Sequence, residues 1–128
     1  PAVVKPAVAL STDDNLVVVY GLGEPGDTTS SADAQMMIAV KETSNAQDNG
    51  AQGQYLWHLG EDNGLNDSEK VTGAPVIFNS AAYVTTYYRN QSNACAGGNS
   101  RIWGLKFDTT NTGSLPSGVF DCSNNPAR

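Results

Sequence analysis

The sequence predicts an all-β protein made of antiparallel sheets, in two four-stranded repeats with long polar loops. Short runs rich in Val and Tyr are bounded by clusters of Gly, Asn and Asp, which is typical of strands. The second half also repeats the first: Pro6 matches Pro75, 69 positions later, and Ala39–Lys41 matches Gly104–Lys106, 65 positions later. A repeat of this kind indicates that one small sheet unit occurs twice.

Eight strands are predicted, four in each repeat. They lie near residues 6–10, 15–21, 36–42, 54–58, 75–79, 82–89, 101–107 and 118–121. Asn79 and Ser80 predict a tight turn between the fifth and sixth strands, and Ser11–Asp14 takes the same place in the first repeat. The polar segments 22–35, 43–53 and 59–70 are predicted to be surface loops.

One segment admits a helix instead of a strand. Residues 30–41 begin with two serines that could cap a helix and continue with good helix formers. We prefer a loop followed by a strand, because Met37–Lys41 aligns with the β-like Ile102–Lys106.

The length of 128 residues indicates one domain, residues 1–128. The first repeat of this domain covers 5–69, the second covers 70–122, and 123–128 forms a tail.

The net charge of −6 argues against binding to nucleic acid and against binding to an anionic membrane surface. No apolar run is long enough to span a membrane, so we expect no membrane insertion by this chain.

The sequence begins at Pro1, and its first residues show neither an initiator Met nor a signal-peptide pattern. This start is interpreted as processing, which fits export, or as a result of cloning.

Cys95 and Cys122 are the only cysteines. In an exported domain, such a pair predicts one disulfide, and a loop of about 27 residues would add roughly 3 kcal/mol on the chain-entropy model. The alternative is two buried free thiols in a cytosolic protein.

Gly21–Gly26 matches the glycine spacing of a dinucleotide site and follows a predicted strand. Pro25 and the polar residues behind it delay any helix, and Asp27 would lie beside the phosphates. We therefore interpret the segment as a glycine-rich strand exit, and we expect no cofactor.

His58 is the only histidine, and no G-x-S-x-G elbow accompanies it, so a structural or rim role is favoured over a catalytic triad.

Glu61–Glu69 carries oxygen ligands of the kind that Ca²⁺ prefers, but these ligands do not follow the order of an EF-hand loop. The segment is interpreted as a solvated acidic loop. Turn chemistry explains Asp13 and Asp14. We predict no metal site and no catalytic residue.

Aromatic residues are the candidate contact residues for a partner or a ligand. Alternation along strands would place some of them in the core and some on a sheet face, and Tyr87-Tyr88 breaks this alternation, so one ring must point outward. The candidates are Tyr87, Tyr88, Trp57 and Trp103.

A family resemblance is concentrated in the second repeat. Lys70–Asn79, Ala82–Tyr87 and Asn93–Leu105, with Cys95-Ala96-Gly97-Gly98 inside the last, resemble about two blades of the C-terminal β-propeller of PilY-type proteins. These proteins are tip and biogenesis factors of bacterial type IV pili. Asn15–Gly23 is similar to the glycine-ended strand of that family.

The resemblance implies a non-enzymatic, exported structural subunit of a type IV pilus or related filament, located outside the cell or on its surface. Two blades cannot close a propeller, so open edges near 6–10 and 118–121 would need partner subunits. The expected partners are copies of the chain or a helical pilin, since this chain lacks the apolar helix of a pilin. The alternative is a secreted adhesin or glycan-binding module.

Overall fold

The structure is a computed structural model that describes residues 4–22, 36–44, 51–66, 68–88 and 97–109. The described residues form two antiparallel sheets and contain no helix. Their strands are β1 (Ala7–Leu10), β2 (Leu16–Leu22), β3 (Met36–Ser44), β4 (Ala51–Leu59), β5 (Lys70–Val71), β6 (Val76–Phe78), β7 (Ala81–Tyr88) and β8 (Asn99–Lys106). The predicted all-β class is confirmed.

The first sheet is a meander in the order β1-β2-β3-β4. Asp14, at a φ of 61°, closes the turn between β1 and β2, where the Ser11 amide donates to the Asn15 carbonyl at 2.8 Å. A bulge between Ala39 and Val40 shifts the register of β3 against β4. Bulges re-aim side chains, and here the consecutive Leu56 and Trp57 of β4 are both buried.

The second sheet is organised around β7. β8 pairs along one edge of β7, while β5 and β6 share the other edge at opposite ends. The predicted turn between β6 and β7 is present: Asn79 and Ser80 have φ values of 48° and 63°. Two central residues with positive φ characterise a type I′ hairpin, whose twist matches that of the strands.

Both sheets contribute to a single hydrophobic core. Its buried members are Val17, Val19, Met37, Ala39, Leu56, Trp57, Leu59, Leu65, Val71, Ala82, Val84, Trp103, Leu105 and Phe107. Gly21 permits the close approach of the sheets, because a Cβ there would lie 3.3 Å from the Val71 side chain and 2.9 Å from that of Val4.

The strands β1 and β6 lie beside each other and have equivalent patterns. Ala9 and Ile77 pack against the core, while the residues on either side of each point outward. These two inward residues are 68 positions apart, one fewer than the prolines that suggested the repeat.

The predicted elements agree with the structure apart from two differences: β3 and β4 extend through 43–44 and 51–53 of a predicted loop, and β5 was not predicted. Residues 36–41 form a strand, which confirms the preference for a strand over a helix. The predicted strand at 118–121, the Cys95–Cys122 pair and Gly23–Gly26 lie outside the described residues.

Candidate functional site

The predicted contact residues divide into buried tryptophans and outward tyrosines. Trp57 and Trp103 are 0% and 2% exposed, so they belong to the core rather than to a contact surface. Tyr87 is 40% exposed, and Tyr88 is half-buried beside Arg101. Of the Tyr87-Tyr88 pair, Tyr87 is therefore the ring that points outward.

Each buried indole has a hydrogen-bond acceptor inside the protein. The Trp57 Nε1–H donates to the carbonyl of Phe107 at 3.1 Å, and the Trp103 Nε1–H donates to Thr86 Oγ1 at 3.1 Å. Burial of an indole is tolerated when its N–H is satisfied in this way. A sugar-binding platform that used these two rings is incompatible with their position.

The side of the first sheet that points away from the core is called here the first outer face. Four of its side chains form one row across the sheet, because Val8 pairs with Val18, Val18 with Val40, and Val40 with Tyr55. Leu10 and Leu16 form a second apolar pair beside this row. The first sheet is thus apolar on both sides, which alternation in a half-buried sheet would not produce.

The second outer face is the corresponding side of the second sheet. It exposes Val76, Phe78, Tyr87 and Ile102, with Phe78 the most exposed at 71%. The Tyr87 ring lies against Gly98, where an added Cβ would come within 2.2 Å of it. Gly98 therefore provides the space in which this ring rests.

A buried ion pair lies at one end of the second sheet. Glu69 is 0% exposed, and its carboxylate accepts from both Nε and Nη2 of Arg101, the Nε contact measuring 2.8 Å. Thr86 Oγ1 and the Asn66 amide also donate to this carboxylate, the latter at 2.9 Å. The guanidinium lies 4.8 Å from the Trp103 ring centroid. Glu69 therefore does not belong to a solvated acidic loop.

A second charged cluster joins the β1–β2 turn to the end of the second sheet. Lys41 Nζ lies 2.6 Å from Asp13 Oδ1 and 3.3 Å from Asp108 Oδ1. Thr12 donates to Asp108 through both its amide, at 2.8 Å, and its hydroxyl, at 3.0 Å. The ammonium group of Lys41, with further hydrogen bonds, holds the pKa of Asp13 well below its usual range, and the Asp13 carboxylate raises that of Lys41.

These shifts predict a loss of stability in acid. A carboxyl whose pKa is lower in the folded state than in the unfolded state stabilises the protein at pH values above its unfolded-state pKa. This stabilisation is lost as the pH falls through the folded-state pKa. The free energy of unfolding should therefore fall below about pH 4. Asp13→Asn should reduce both the stability at neutral pH and this dependence, as measured by urea unfolding at a series of pH values.

The matched control for this prediction is Asp14→Asn. It removes the neighbouring exposed carboxylate and keeps a residue that tolerates positive φ. Identical acid dependence of the two variants would show that Lys41 does not act through Asp13.

His58 bridges two side chains at the end of β4. Its Nε2 lies 3.1 Å from Asp62 Oδ1, and its Nδ1 is hydrogen-bonded to the Tyr55 hydroxyl. Burial, and secondly the charge of Asp62, raise the pKa of Tyr55, which keeps the phenol protonated. Because a carboxylate only accepts, neutral His58 carries its proton on Nε2 and accepts from Tyr55 on Nδ1. Neither contact involves a serine hydroxyl, so these contacts do not form the Ser-His pair of a triad.

Among the residues that the structure describes, no three His, Cys, Asp or Glu side chains are grouped so that they could bind a metal ion. The same residues include no helix with the length and apolar character needed to cross a bilayer.

Comparison with protein-family models, with curated proteins and with solved structures gives no match to this chain.

Proposed function

We propose that this chain is a non-enzymatic structural subunit of an extracellular filament of the type IV pilus kind. It packs against neighbouring subunits, either copies of itself or a helical pilin, and presents its polar loops outward. Two observations support this proposal: the resemblance to PilY-type proteins, and the large apolar side chains exposed on the two outer faces.

The observation that carries this proposal is the exposure of large apolar side chains on both outer faces. Single exposed apolar residues are ordinary on a soluble protein, whereas groups on one face mark interaction surfaces. Here eight large apolar side chains are 40–71% exposed: Val8, Leu10, Leu16, Tyr55, Val76, Phe78, Tyr87 and Ile102. A filament subunit needs more than one contact surface, and each sheet supplies one.

The edge of the first sheet supports the same proposal. Among the described residues, the nine-residue β4 pairs only with β3. Its sequence, Ala-Gln-Gly-Gln-Tyr-Leu-Trp-His-Leu, lacks the Lys and Pro residues that commonly protect edge strands from pairing with other chains. Such an edge is suited to contact with a neighbouring subunit.

The direct test is to shear filaments from native cells and identify what co-purifies with this chain. We expect the chain in the filament fraction together with a small, helix-rich pilin. Purified alone, the chain should self-associate. A stable monomer at micromolar concentration that is absent from the sheared fraction would contradict the proposal.

A point variant can separate assembly from folding. Phe78→Ser should reduce the amount of chain in the sheared fraction by about 10-fold, which corresponds to about 1.4 kcal/mol of contact energy. The unfolding midpoint of the purified chain should change little, because this ring is already 71% exposed. Lys106→Ser, on the same face opposite Ala81, is the polar control. Equal incorporation of both variants would exclude Phe78 from the contact.

A second candidate function is a secreted adhesin or glycan-binding module, which the exposed Tyr87 ring lying over Gly98 favours. Exposed aromatic rings that rest on a glycine are suited to stacking on the apolar face of a sugar. Glycan-array binding that disappears in Tyr87→Ala would support this function, and the absence of binding across the array would reject it.

A further inference from the structure

The first outer face contains a shallow groove of about 410 Å³, large enough to receive side chains of another molecule. Its lining comes from three neighbouring strands: Leu16, Val18 and Tyr20 of β2, Val40 and Glu42 of β3, and Gln52 and Gly53 of β4. Most of this lining is apolar.

Gly53 keeps the groove open. A Cβ at this position would lie 2.9 Å from Val40 Cγ1, closer than side-chain carbons normally approach. A larger side chain at residue 53 would therefore cover Val40 and occupy the groove.

Among the described residues that line the groove, Glu42 alone is charged. The neighbouring Lys41 does not neutralise it, because Lys41 is on the opposite side of β3 and its Nζ is held by Asp13 and Asp108. Within the described part of the chain, Glu42 forms no ion pair. A carboxylate beside an apolar floor favours an occupant that brings a positive charge.

The apolar surface continues beyond the groove across the whole sheet. The row formed by Val8, Val18, Val40 and Tyr55 crosses four strands, a distance of about 14 Å at the usual strand spacing. Three turns of an α-helix span about 16 Å. A helix of three turns is therefore about as long as the row of apolar side chains. Helices commonly cover the apolar faces of sheets, so such a helix could cover this face.

From these observations we propose that the groove docks an apolar helix of a partner subunit, which places one Lys or Arg side chain beside Glu42. The inference rests on the proposed function and specifies the chemistry of the partner. A second copy of the chain fits less well, because a two-fold contact through this face would bring the two Glu42 carboxylates onto the same apolar surface.

The test uses the full chain and two blocked helical peptides of about 15 residues, made of Ala, Leu and Gln with either Lys or Glu at the centre. Methyl NMR of Leu16, Val18 and Val40 reports binding. We expect the Lys peptide to shift these signals and to bind about 10-fold more tightly than the Glu peptide. Glu42→Gln should reduce this preference to less than about 2-fold.

Two substitutions in β4 test the location. Gly53→Val should abolish binding of the Lys peptide, whereas Gln54→Val adds the same side chain at an exposed neighbour that does not line the groove and should leave binding unchanged. Equal affinity for both peptides, or normal binding by Gly53→Val, would overturn the proposal. Self-association that Gly53→Val suppresses would identify a second copy as the occupant and would overturn it as well.

The outcome is separable from that of the filament test. If the chain travels with filaments but binds neither peptide, the groove assignment fails and the proposed function stands. If the Lys peptide binds in the groove while the chain is absent from filaments, the proposed function fails instead.

Discussion

Replacing Arg101 with Met is expected to lower the free energy of unfolding by about 3–5 kcal/mol, the largest effect of any charged residue in the described chain. The substitution leaves the carboxylate of Glu69 buried without its positive partner. It also removes the guanidinium from the Trp103 ring. Urea unfolding monitored by tryptophan fluorescence measures the change.

Lys106→Met on the same strand is the matched control, since its side chain is exposed, and it should change stability by less than about 0.5 kcal/mol. The double variant Glu69→Gln with Arg101→Met should recover part of the loss, because no unpaired charge remains buried. If Arg101→Met and Lys106→Met were equally stable, the ion pair would not contribute to the fold.

Trp57→Ala is expected to destabilise the protein by about 3–5 kcal/mol, the usual range for truncating a buried aromatic residue. The indole is fully buried, and its N–H donates to the Phe107 carbonyl at the end of the second sheet. The substitution therefore creates a cavity and also leaves a carbonyl without its donor. Chemical unfolding followed by far-UV circular dichroism reports the loss.

Phe78→Ala provides the comparison for this aromatic truncation. Because Phe78 is 71% exposed, its removal should cost less than about 0.5 kcal/mol in the isolated chain. A loss for Trp57→Ala as small as this would show that the two sheets do not depend on the indole.

Much of the fold could be predicted because strand signals are local. The positive-φ turn at Asn79-Ser80 and the alternating Val17 and Val19 can be recognised from neighbouring residues alone. The repeat located the strands in both halves, and the aligned β-like segment correctly favoured a strand over a helix at Met37–Lys41.

The differences arise from contacts between residues that are distant in sequence. β5 has two residues, and it forms because β7 provides hydrogen-bond partners, for which its own sequence carries no signal. Glu69 lies in a polar segment, and only its contact with Arg101, 32 positions away, takes it out of water. Sequence alone could not reveal that pairing.

The exposure of the candidate contact residues was predicted only in part for a related reason. Alternation identifies which residues share a side of a strand, but it does not tell which side the second sheet covers. The tryptophans are large and apolar, and both lie on the covered side, whereas Val8, Leu10 and Phe78 point outward. Their apolar character gave no sign of this orientation.

The residues at the end of β8 have a consequence for the order of folding. Each strand of the first sheet pairs with its neighbour in the chain, so these contacts can form early, since short loops lose little entropy on closure. The bonds of Phe107 and Asp108 to Trp57, Lys41 and Thr12 instead span 50, 67 and 96 positions. We therefore expect these contacts to form after the hairpins of the first sheet, and a chain that ends before Phe107 should lose the hydrogen bonds that join β3, β4 and the β1–β2 turn to the end of β8.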